Sequence, residues 1–134
     1  MSERAAAGLL DTSVVIDLDL IGPDELPLTV GVSAITMAEL AAGPAASMDA
    51  AERARRQDRL QRAEAAFEAI PFGTEAARAY GRVYSAVLAA GRQPRRRFAD
   101  LLIAATAVAE GLPLVTRNSQ DFAGLEGLVE VISV

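Results

Sequence analysis

At 134 residues, 51% of them hydrophobic, the chain is long enough to bury the core of a single domain spanning 1–134. Its net charge of −5 argues against a broad nucleic-acid-binding surface, though not against a local arginine cluster. Cysteine, histidine and lysine are absent and all 13 basic residues are arginine; this excludes disulfides, thiolate and imidazole chemistry, His- or Cys-ligated zinc, Schiff bases and the lysine of a phosphate-binding loop.

Gly8-Leu9-Leu10 is a short apolar run that predicts a first strand at about residues 7 to 11, with Asp11 at its tip and a helix beginning near Ser13. Asp11 or Ser13 as a helix cap is a sufficient local explanation for either residue, and Asp17 and Asp19 read as a solvated face. Gly22-Pro23-Asp24-Glu25 is a turn, and Thr29 to Ser33 predicts the second strand. Thr36-Met37-Ala38-Glu39 matches a capping box opening the next helix. Glu39 is therefore open between a capping role and a functional one, and its apolar neighbours Ile35, Met37 and Leu40 favour the second.

After the break at Gly43-Pro44, residues 49 to 69 predict a long helix with Leu60, Ala63, Phe67 and Ile70 inward and a mixed-charge outer face. Ile70-Pro71-Phe72 predicts a short edge strand. Thr74 to Ala90 predicts a helix with Ala77, Tyr80, Tyr84, Val87 and Leu88 facing the core. A basic loop, Gly91 to Arg97, leads directly to Asp100, so Arg95, Arg96 and Arg97 are candidates for phosphate contact. Leu101 to Ala109 is apolar almost throughout, as in a helix buried nearly all round, and Gly111 and Pro113 stop it. Leu114-Val115 predicts a buried strand, Thr116 to Asp121 a polar loop at its end, and Leu128 to Val134 a last strand.

Strand and helix alternate throughout, which predicts an α/β protein of three α/β/α layers around a mainly parallel sheet. In such a sheet Asp11, Glu39, Asp100 and the 116-to-121 loop share the edge formed by the strands' C-terminal ends. Three carboxylates in a partly apolar site repel one another, and without histidine or cysteine the natural counter-charge is a hard, oxygen-liganded cation, Mg²⁺ or Mn²⁺. Such a cation acidifies a bound water and neutralises a phosphoryl group under attack.

Five segments together, LLDTSVVI at 9 to 16, SAITMAEL at 33 to 40, IPF at 70 to 72, FADLLIAATA at 98 to 107 and LVTRNSQDF at 114 to 122, resemble the PIN-domain ribonucleases, and within them the VapC toxins of bacterial toxin–antitoxin pairs. The resemblance implies that Asp11, Glu39 and Asp100 bind the metal and that Thr12, Ser13 and Thr116 orient its waters. It puts the fourth acidic position at Asn118, with Asp121 as the charged residue able to complete the set. It also implies RNA cleavage to 5′-phosphate and 3′-hydroxyl ends, a homodimer, and inhibition by a VapB-type antitoxin whose C-terminal segment covers the acidic site.

Two other classes compete with this reading. A non-catalytic PIN-like module binding RNA or protein is disfavoured by the intact acids, and a receiver-like phospho-acceptor domain by the absence of lysine. No apolar run reaches the roughly 18 to 20 residues of a membrane span, and the opening MSERAAAG lacks a signal peptide's apolar segment. The expectation is a soluble cytoplasmic protein without membrane association.

Overall fold

A computed structural model describes residues 4–134; Met1 to Glu3 of the opening MSERAAAG stretch lie outside the described residues. Five strands, β1 (Ala7–Leu10), β2 (Thr29–Ser33), β3 (Ala69–Ile70), β4 (Leu114–Thr116) and β5 (Val131–Ser133), form one sheet in the order β3-β2-β1-β4-β5, every neighbouring pair parallel. Leu10 sits at the middle of the register, opposite Val32 of β2 on one side and Val115 of β4 on the other.

The sheet's two faces follow from the two-residue period of a strand. Leu9 and Leu114 point into a core with Ala79, Val83 and Val87 of α4 (Thr74–Ala89) and Leu101, Ala104 and Ala105 of α5 (Phe98–Glu110). Leu10, Val32 and Val115 point the other way, into a second core with Val14 and Val15 of α1 (Thr12–Ile16) and Ala63 of α3 (Ala50–Ala66). The remaining helix, α2 (Ala34–Ala42), serves both cores: Leu40 and Met37 enter the second, and Ile35 packs on the first. The three-layer α/β/α architecture expected from the alternation is the one observed. Among the described residues no helix is long and apolar enough to cross a membrane.

Several local readings need correction. The cap of α2 is Ser33, whose Oγ accepts the Thr36 N–H at 3.1 Å, so Thr36 is the third helical residue and Glu39 lies beyond any capping box. The last residue of β2 thus doubles as the helix cap, which the Thr-x-x-Glu spacing concealed. Glu39 is also exposed rather than sunk among its apolar neighbours. In α4 the buried positions are Ala76, Ala79, Val83 and Val87, while Ala77 and Leu88 face solvent. Small residues set that phase because α4 lies against the alanine-rich face of α5, where a bulky seam would hold the two helices apart. The long charged helix ends at Ala66, three residues early, and the edge strand forms from Ala69–Ile70 ahead of Pro71, which has no N–H for a ladder. The basic loop closes in a 3-10 turn, Pro94–Arg97, that runs into α5. At the other end of α5, Gly111 takes a left-handed conformation (φ 67°), and Leu112 N–H donates to the Ala107 carbonyl at 3.0 Å, closing the helix.

Candidate active site

The order of the sheet reverses direction between β1 and β4, and at such a point the loops after the two strands part and leave a crevice. Asp11 follows β1 and Thr116 ends β4 at this place. Asp11 is 4% exposed, and although it occupies the N-cap position of α1 its side chain makes no capping bond. Ser13 Oγ and Thr116 Oγ1 each donate to Asp11 Oδ2 at 2.8 Å. Both hydroxyls in turn accept backbone N–H groups of the following turn, Ser13 from Arg117 at 3.2 Å and Thr116 from Asn118 at 3.0 Å. These backbone donors hold the hydroxyl oxygens in place, so both hydroxyl protons are directed at the same carboxylate oxygen. The other oxygen, Asp11 Oδ1, is buried with no hydrogen-bond partner among the described residues. A buried carboxylate oxygen left bare is costly and calls for a counter-charge.

Glu39 is oriented by a separate chain of hydroxyls. Ser33 Oγ donates toward Thr36 Oγ1 (3.4 Å), Thr36 Oγ1 meets Thr12 Oγ1 at 2.9 Å, and Thr12 Oγ1 donates to Glu39 Oε1 at 2.6 Å. Thr12 lies at the start of α1 and Glu39 midway along α2, so this chain links the ends of β1 and β2.

Asp100 is the third residue of α5, a position where the helix dipole favours a carboxylate. Its carboxyl is nonetheless pushed up to about 6 by burial first, then by the negative charges of Asp11, Asp121 and Glu39, with Arg97 partly offsetting them. Desolvation and three like charges outweigh the dipole here. The same coupling makes the four acids one electrostatic cluster. Asp121, on the 3-10 turn Ser119–Phe122, is mostly buried and paired with Arg97 at 3.1 Å. Asn118 precedes that turn with an exposed side chain that makes no capping bond, and it joins the network through its backbone N–H. Arg95 and Arg96 are exposed and make no ion pair with a described residue; Arg97 turns inward.

The donor set suits a hard divalent cation: oxygen ligands throughout, one buried carboxylate oxygen unpartnered, and mutual repulsion among the acids. Among the described residues no three acids stand close enough to cage an ion by themselves. A Mg²⁺ ion retains several waters and needs only one or two carboxylates from the protein. Sequence reasoning passed over Thr36, read only as a cap, and Arg92. Arg92 NH1 donates to the Gln120 carbonyl at 2.7 Å and so fastens the turn that carries Asp121. No local pattern signals a bond of that sequence separation.

Comparison with known proteins identifies the family. The PIN domain family matches residues 8–128. Ribonuclease VapC5 of Mycobacterium tuberculosis is 37% identical over an alignment of 139 positions covering 100% of both chains. VapC ribonuclease Y4jK of Sinorhizobium fredii is 35% identical over 132 residues, covering 88% of this chain and 93% of the relative. A crystal structure of VapBC-5, a member of the VapBC family of toxin–antitoxin systems from Mycobacterium tuberculosis, superposes with a TM-score of 0.81 and 38% identity, covering 96% of this chain and 99% of that one. The chain belongs to the PIN-domain family and, within it, to the VapC branch.

Proposed function

We propose that this chain is a metal-dependent endoribonuclease, the toxin of a VapBC-type toxin–antitoxin pair. The observation that carries the reading is the bare, buried Asp11 Oδ1 in one charge cluster with Asp100, Glu39 and Asp121. The names of the relatives, ribonucleases of the VapC kind, agree with it.

Asp11 and Asp100 would hold Mg²⁺ or Mn²⁺, with Glu39 and Asp121 completing the acidic surround. When bound, the cation supplies an acidified water and neutralises charge on the phosphoryl group. Ser13 and Thr116 keep Asp11 in one orientation by saturating Oδ2, which leaves Oδ1 as the free donor. Thr12 fixes Glu39 in the same manner. Hydrolysis would join a water oxygen to phosphorus and break the bond from phosphorus to the 3′ oxygen, with the proton released by the water balanced by one taken up at that oxygen, leaving 5′-phosphate and 3′-hydroxyl ends. Arg95 and Arg96, exposed beside the acidic edge and without an ion pair to a described residue, guide the RNA backbone toward it. The partners are the RNA substrate, a second copy of the chain, and a VapB-type antitoxin whose C-terminal segment covers the acidic site; the VapBC-5 assembly is a precedent for such a pair.

The test is RNA cleavage by the purified chain with Mg²⁺ or Mn²⁺ and with chelator, alongside Asp100→Asn. Cleavage that needs the cation and is lost in the variant is expected. Wild-type rates from Asp100→Asn, or undiminished cleavage in chelator, would overturn the assignment.

A further inference from the structure

Arg97 ends the 3-10 turn before α5, and its NH1 lies 3.1 Å from Asp121 Oδ1 and 4.0 Å from Asp100 Oδ2. One monovalent charge is thus shared between two acids of the cluster, while Asp11 Oδ1 has no partner among the described residues. The Asp121 turn has anchors besides the ion pair: Arg92, through the Gln120 carbonyl at 2.7 Å, and the close approach at Gly124 (φ 96°), where an added Cβ would come within 2.8 Å of the Ala90 Cβ. The Arg97 side chain is 47% exposed and borders a cavity of about 300 Å³ lined also by Arg92, Gln93, Arg96 and Asp121. It can therefore leave the acids without burying an unpaired charge and without loosening the turn.

We propose that Arg97 is a displaceable internal counter-ion of the acidic site, holding Asp121 and Asp100 until a divalent cation takes its place; this rests on the metal-dependent reading above. The cation and the guanidinium compete directly for Asp100 and for the charge of the neighbouring Asp121. A half-exposed ion pair is weak, whereas a divalent ion that also satisfies the buried Asp11 oxygen gains an interaction the guanidinium does not make. Once displaced, Arg97 joins Arg95 and Arg96 as a cation available to an RNA phosphate. The acidic cluster is thereby kept partly neutral when empty, and the same arginine changes partner when the site is loaded.

The experiment is calorimetric titration of the RNA-free chain with Mn²⁺ alone, for wild type, Arg97→Ala and Arg97→Lys, with folding followed by circular dichroism. Arg97→Ala is expected to bind Mn²⁺ about 3- to 10-fold more tightly, the range set by removing one competing charge at partial exposure. Arg97→Lys, which keeps the charge, is expected to stay near wild type. If wild type binds Mn²⁺ and Arg97→Ala binds no tighter, the counter-ion role fails and the metal site stands. Equal tightening in Arg97→Lys would show an effect of shape rather than charge and would also overturn the role. Absence of binding in all three proteins would overturn the metal reading and this inference with it.

Discussion

Thr116 Oγ1 donates to Asp11 Oδ2 at 2.8 Å across the one place where the strand order of the sheet reverses. The same oxygen accepts the Asn118 N–H at 3.0 Å, so one hydroxyl both aims the acid and closes the turn after β4. Thr116→Val keeps the shape and removes both bonds, leaving an N–H and a carboxylate oxygen short of a partner. Urea melts should show a loss of about 1–3 kcal/mol, and RNA cleavage should fall about 10- to 100-fold, the usual effect of losing a group that orients a metal ligand. Thr116→Ser keeps the hydroxyl and should lie close to wild type. Loss in Thr116→Ser with Thr116→Val near wild type would assign the role to the methyl group instead.

Asp100 makes the metal-free protein pH-dependent in a direction opposite to most carboxylates. Its folded carboxyl titrates near 6 against an ordinary value of 3.8, because burial and three neighbouring acids oppose its charge. Between those two values the folded chain holds a proton that the unfolded chain has released. The Asp100 contribution therefore falls as pH rises from about 4 to 6 and stays lost above. In chelator at pH 7.5, Asp100→Asn should be the more stable protein by about 1–2 kcal/mol, less than the full shift implies because the side chain is partly screened. At pH 4 the two should converge. A variant less stable than wild type at pH 7.5 would show that ionised Asp100 stabilises the fold instead.

The fourth acidic position distinguishes Asp121 from Asn118. Asp121 belongs to the cluster that raises Asp100 and is mostly buried; Asn118 has an exposed amide and contributes its backbone. Asp121→Asn should weaken Mn²⁺ binding several-fold and lower the Asp100 pKa by removing one like charge. Asn118→Asp should leave binding equal or tighter. Calorimetry together with carboxyl titration by NMR reads both effects, and unchanged Mn²⁺ affinity in Asp121→Asn would limit the site to Asp11, Glu39 and Asp100.

Arg95 and Arg96 are free of ion pairs with described residues, so replacing both by alanine should leave stability within about 0.5 kcal/mol. RNA affinity should fall and the slope of log K against log salt should flatten by about one to two, one for each phosphate no longer neutralised. Fluorescence anisotropy across a salt series measures this. An unchanged slope would return the two arginines to ordinary surface.

The sequence by itself determined the alternation of strand and helix, the parallel sheet and the placing of Asp11 at the C-terminal end of β1, because periods of two and 3.6 and the punctuation by glycine and proline are local properties. It also marked Glu39, which follows the buried β2, and Asp100, a lone carboxylate between a basic loop and an apolar helix that leads into the buried β4. Which face of α4 is buried was decided only by the docking of α5, which accepts Ala76 and Ala79 and turns Ala77 and Leu88 outward. The cap of α2 passed from Thr36 to Ser33 because β2 runs without a break into the helix. The inward turn of Arg97 and the tie from Arg92 to Gln120 join residues more than 20 positions apart. Such pairings depend on how the whole chain closes on itself, and no local pattern encodes them.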